Sequence, residues 1–190
     1  MMWTTLWVQG NASAQWAVVI VASAVGAACD VKSRRLPNAL TAPLLAGALA
    51  WSAWTAGWSG LGDSLCACAL MALPYLLLFY RGGGGGGDVK MMGALGAWLG
   101  LVNAMVALAA VALAGVAIGV AYALRKRALR QVTARVAVMA AEFALSPPAA
   151  GPAQDLTEAA QGAVLKMPYG LAIFTGVLAA AGAVALYRAS

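Results

Sequence analysis

The groups able to do chemistry in this chain are few. There is no histidine, which removes the commonest general base and the commonest metal ligand. Six carboxylates remain: Asp30, Asp63, Asp88, Glu142, Asp155 and Glu158. Asp63 lies in a short polar break, and Glu142, Asp155 and Glu158 lie in one long polar stretch, so these four read as solvated side chains. Asp30 and Asp88 differ, because each stands where an apolar run meets a basic segment and a carboxylate is partly desolvated.

Two carboxylates brought within about 3 Å of each other share a proton, so that one can act as base and the other as acid. Such a pair hydrolyses a peptide bond without histidine, metal or covalent intermediate. Singly, each aspartate also has an ordinary reading. Asp30 could pair with Arg34 one helical turn later, and Asp88 could cap a helix beginning at Val89.

The glycines before Asp88 shift that balance. The run 82–87 is six consecutive glycines, costly in backbone entropy and devoid of packing side chains, so it belongs where backbone must approach something closely. An extended substrate strand is one such partner. A phosphate is not, because Gly87 is followed by Asp88 rather than by Lys and Ser or Thr.

Other candidates are weaker. Ser33 and Lys32 could be drawn as a Ser/Lys peptidase pair, but no structured motif surrounds them. Cys29, Cys66 and Cys68 form no CxxC pair and read as small buried residues. Neither a metal nor a cofactor is indicated.

The elements that must position the aspartates are membrane helices. Of the 190 residues, 63% are hydrophobic and 9% charged, more apolar than a soluble domain of this size requires. Apolar runs long enough for a bilayer core of roughly 30 Å cover 12–29, 39–58, 64–80, 104–124 and 167–187, with a shorter one at 89–102. The turn between the runs 89–102 and 104–124 is expected in the segment Trp98–Asn103, which offers Gly100 and Asn103.

The sequence therefore predicts an all-α polytopic membrane protein. It comprises one membrane-embedded domain over 1–190 with six transmembrane helices, the N-terminus outside and a glycine-rich loop before the fourth helix.

The basic residues support this arrangement. Lys32, Arg34 and Arg35 fall in the first inner loop, and Arg81 and Lys90 in the second. Arg125, Lys126, Arg127, Arg130, Arg135 and Lys166 fall in the third, as the positive-inside rule requires. Only Arg188 falls outside.

The net charge of +6 is thus explained by topology, and no nucleic-acid partner is invoked. The inner loop 125–166 contains a stretch, 132–145, that reads either as a surface amphipathic helix or as a mobile segment.

Gly85-Gly86-Gly87-Asp88-Val89-Lys90 resembles the GxGDxK signature of the type IV prepilin peptidases. Asp30 followed by Arg35-Leu36-Pro37-Asn38 is similar to that family's other aspartate with its R-[IL]-P-N segment. Lys166-Met167-Pro168-Tyr169-Gly170 resembles the P-[FY]-G start of its last helix. Presenilin-type proteases share GxGD but show a YD motif, whereas Cys29 precedes Asp30 here, and no PAL motif occurs.

The resemblance implies an aspartyl endopeptidase with Asp30 and Asp88 as catalytic residues. Gly85, Gly87, Lys90, Arg35, Pro37, Asn38, Pro168 and Gly170 would be supporting or substrate-binding residues. Lys90 also reads as an ordinary inner-boundary lysine, and Pro37 and Asn38 as a loop end and a helix cap.

The implied substrate is a prepilin or pseudopilin with a short basic leader and a hydrophobic helix lying in the bilayer. The implied location is the bacterial inner membrane, with the site facing the cytoplasm. The small peptidases of tight-adherence (Flp) pilus systems are the likeness, and methyltransferase activity is not expected. The competing reading is a noncatalytic channel or pilus-assembly scaffold using the two aspartates for ions or partner contacts.

Overall fold

A computed structural model of the chain describes residues 12–33, 36–80, 85–125 and 169–189. The expected N-terminal outer segment, Arg34, Arg35, Pro168 and nearly all of the 125–166 loop lie outside the described residues. Four helices carry the fold: α1 Ala12–Ser33, α2 Asn38–Tyr80, α3 Gly86–Arg125 and α4 Tyr169–Ala189. All four are long and apolar enough to cross a membrane.

Two of these helices are broken. A straight helix of the 43 residues of α2 would reach roughly 65 Å, twice the hydrocarbon thickness of a bilayer. Gly57 interrupts it with φ 60° and ψ −144°, and Gly100 interrupts α3 with φ 70° and ψ 167°. Positive φ is the region where glycine alone escapes a Cβ penalty.

Contacts on either side of Gly57 show that α2 turns back on itself. Before the break, Lys90 Nζ donates to Asn38 Oδ1 at 2.9 Å, and Trp98 Nε1 donates to the Leu44 carbonyl at 2.8 Å. After it, Ser64 Oγ donates to the Ala97 carbonyl at 2.7 Å, and Phe79 lies against Gly86. Residues 38 and 79 are therefore both level with the start of α3, and residues 44 and 64 with its Ala97–Trp98 region.

The break in α3 acts likewise. Gly170, near the start of α4, touches Asp30 at the end of α1, and Gly176 packs directly on Val111. Six residues along α4 is about 9 Å. A straight α3 would carry Val111 roughly 35 Å from Asp88, so that contact requires the segment after Gly100 to return.

The core surrounds the first half of α3. Met91, Met92, Leu95 and Leu99 are buried there, packed with Met71 of α2, Val19 of α1, and Ile173 and Val177 of α4. A helix apolar on all sides belongs inside a bundle, which is why this run is the shortest yet central. Around the outside, Val21, Val25, Leu113, Val116 and Leu186 face outward, and Trp54 and Trp58 are each 89% exposed.

Several expectations need correction. The outer loop between the second and third runs is helical, because a single residue, Gly57, accomplishes the reversal. The turn in α3 lies at Gly100, and Asn103 is inside the helix, donating Nδ2 to the Leu99 carbonyl at 3.1 Å. Gly86 and Gly87 belong to the first turn of α3 rather than to a loop.

Asp63 is not merely solvated: its Oδ2 accepts from the Leu101 amide at 3.2 Å, so it caps the returning half of α3 from across the turn. Cys66 is exposed, and Cys29 and Cys68 are half-buried. Helix surfaces facing lipid accept a thiol readily, so burial is not required of it.

Candidate active site

Asp30 and Asp88 are 58 positions apart in the chain and are brought to the same end of the bundle. Asp30 lies in the last turn of α1, half-buried. Asp88 is the third residue of α3, likewise half-buried. The two carboxyl groups lie within electrostatic reach of each other.

Each aspartate is held by the backbone of a glycine. Asp88 donates its own amide to the Gly85 carbonyl at 3.1 Å, and its carboxyl group hydrogen-bonds back to the Gly85 backbone. Gly85 thus stands at the N-cap and Asp88 at N3, where a carboxylate is favoured by the unpaired amides of the helix start.

Asp30 receives its bond from another helix. The Gly170 amide donates to Asp30 Oδ2 at 2.8 Å. The first amides of a helix have no partner within it, so Asp30 caps α4 in trans while remaining part of α1. Helix α3 begins at Gly86, so Asp88 stands inside its first turn rather than capping a helix that begins at Val89, and Asp30 caps a helix whose bonded residue is 140 positions away.

The segment between α1 and α2 joins the two halves of the site. Leu36 lies against both Gly26, one turn before Asp30, and Gly87, next to Asp88: a Cβ on either glycine would approach its side chain to 3.4 Å and 3.0 Å. Pro37 accepts from the Leu40 amide at 3.0 Å and starts α2. Asn38 then accepts from Lys90, so the segments flanking both aspartates are tied together.

Of the residues the sequence singles out, Asp30, Asp88, Gly85, Gly87, Lys90, Pro37, Asn38 and Gly170 gather at this one end. Arg35 and Pro168 lie outside the described residues. In the sequence, Leu36 stands out only as part of the R-L-P-N segment. Its wedge position between the two aspartate-bearing helix ends has no signature of its own beyond that segment.

Chemically, the cluster offers two neighbouring carboxyl groups, backbone amides and the exposed ammonium groups of Lys32 and Lys90. Among the described residues no group of three or more His, Cys, Asp or Glu side chains could hold a metal ion. The donor set fits proton transfer to and from water.

A scan against family models matches the type IV leader peptidase family over residues 17–120, more than half of the chain. This chain belongs to the type IV leader peptidase family. No curated protein and no solved structure matches it. Membership brings a peptidase role, a prepilin substrate and a membrane setting. The region that matches the leader peptidases contains both Asp30 and Asp88, with α2 and most of α1 and α3. Gly170 lies beyond it.

Proposed function

We propose that this leader peptidase is an aspartyl endopeptidase in which Asp30 and Asp88 activate water between them. The observation that carries this reading is their convergence: two half-buried carboxyls, far apart in sequence, meet within electrostatic reach at one end of an otherwise apolar bundle. The ionised member takes a proton from water, and the water attacks the scissile carbonyl. The protonated member donates to the developing oxyanion and then to the leaving amine.

The substrate is a prepilin or pseudopilin whose short basic leader is removed, with its hydrophobic helix remaining in the bilayer. The site faces the cytoplasm of a bacterial inner membrane. Lys32 and Lys90 at the aspartate end, and Arg125 at the end of the returning half of α3, support this orientation through the positive-inside rule.

The reversals at Gly57 and Gly100 support six crossings with the N-terminus outside. Exposed Trp54 and Trp58, flanking Gly57 at the far end, suit the aromatic belt of the outer interface.

The test is coexpression with a candidate prepilin, scoring leader removal by the mobility of the pilin. Wild type is expected to process it, and Asp30→Ala and Asp88→Ala to leave it full length. Processing that persists in both variants rejects the reading.

A further inference from the structure

We infer that Gly170 is a positioning residue for Asp30, so that the leader peptidase site is complete only when the start of α4 is docked on the end of α1. This rests on the proposed catalytic role of Asp30 and adds a third participant, reached only after the long segment that follows α3.

Two observations carry it independently. The first is the bond: the Gly170 amide, one of the donors a helix start leaves without an internal partner, is spent on Asp30 Oδ2 at 2.8 Å. It fixes one carboxylate oxygen and leaves the other available to water or to the proton shared with Asp88.

The second is the fit. A Cβ at position 170 would stand 2.9 Å from Asp30 Cβ, 2.9 Å from Ala27 Cα and 3.1 Å from Asp30 Oδ2. Only glycine lets the two backbones approach closely enough for the bond to form.

The parallel at Asp88 strengthens the assignment. A Cβ at Gly85 would lie 3.2 Å from Asp88 Oδ2, so each aspartate has a Cβ-free backbone beside one of its carboxylate oxygens. Gly85 reaches Asp88 within its own helix start, whereas Gly170 reaches Asp30 from another helix. Asp30 is therefore the member of the pair whose orientation depends on tertiary docking.

The test uses the full chain in proteoliposomes with a purified prepilin, and replaces the Gly170 residue by glycolic acid. This converts one amide to an ester, removing the N–H and adding no bulk. Loss of a hydrogen bond to a charged group is expected to lower kcat about 10- to 100-fold with KM within about twofold of wild type.

Gly170→Ala, which keeps the N–H but displaces Asp30, is expected to show the same kcat-specific loss. Gly182→Ala on the open face of α4 is expected to match wild type. If the ester and Gly170→Ala chains keep wild-type kcat, or lose activity through KM alone, the positioning role is overturned. Asp30→Asn is assayed alongside: an active Asp30→Asn enzyme refutes the catalytic pair itself, whereas an inactive one beside a fully active ester refutes only the role of Gly170.

Discussion

The Gly170 amide and Asp30 Oδ2, 2.8 Å apart, join the last helix of the bundle to the end of the first. In one contact Asp30 caps the start of α4 and acquires a fixed orientation at the end of the bundle that also carries Asp88. Stability and the proposed chemistry therefore converge on the same carboxylate, and substitutions near it must be read for both.

Leu36→Ala is expected to move both. Its side chain fills the space between Gly26 and Gly87, so truncation loosens the junction of the two aspartate-bearing helix ends. Partial burial limits the stability cost to about 1–3 kcal/mol. Cleavage is expected to fall about 10- to 100-fold, since a misplacement of roughly 1 Å can cost up to about 100-fold. Thermal unfolding in detergent and initial cleavage rates on the same sample check both.

Asp63→Ala tests the opposite end. It removes the acceptor for the Leu101 amide, and loss of such a cap costs about 1 kcal/mol. The melting temperature should drop by several degrees while kcat remains within about twofold of wild type, because Asp63 is remote from Asp30 and Asp88. Gly100→Ala should be the more damaging change. It combines positive φ with a Cβ 2.7 Å from Asp63 Oδ2, for about 1–3 kcal/mol of strain.

The reversal at Gly57 predicts a labelling pattern. In a chain whose three cysteines are replaced by serine, a cysteine introduced at Ser59 should react with a membrane-impermeant maleimide added outside. Cysteines introduced at Asn38 and at Tyr80, the two ends of α2, should both react only after the inner face is opened. Labelling at Tyr80 from outside would refute the folded-back α2.

Chelation should leave the enzyme untouched. The chain has no histidine, and the described residues offer no group of three metal-ligating side chains. Cleavage rates with and without millimolar EDTA are expected to agree.

Much of this arrangement is legible in the residues, for physical reasons. Charges are costly in a bilayer, so Asp30 and Asp88 at the edges of apolar runs stand out, and the biased lysines and arginines order the segments around them. A capping residue announces itself locally, so the neighbours of Asp88 in the chain suffice to assign it to a helix start.

What escapes the sequence depends on distant partners. Gly57 looks like any other glycine in a chain rich in them, and only its φ of 60° identifies the turn. Asp63 reads as solvated because its partner, Leu101, is 38 positions away. Cys66 reads as buried because apolar composition does not tell a lipid-facing surface from a protein core. Leu36 is one leucine among many until the two glycines it touches are in place.

The central claim is that Asp30 and Asp88 act together on water, and single-turnover cleavage of a purified prepilin in proteoliposomes tests it most directly. Asp30→Asn and Asp88→Asn preserve shape and remove only the capacity to ionise. Each is expected to reduce the cleavage rate about 1,000-fold or more, and the double variant no further than the worse single one, because the pair works as a unit. A rate within tenfold of wild type in either single variant would contradict the account.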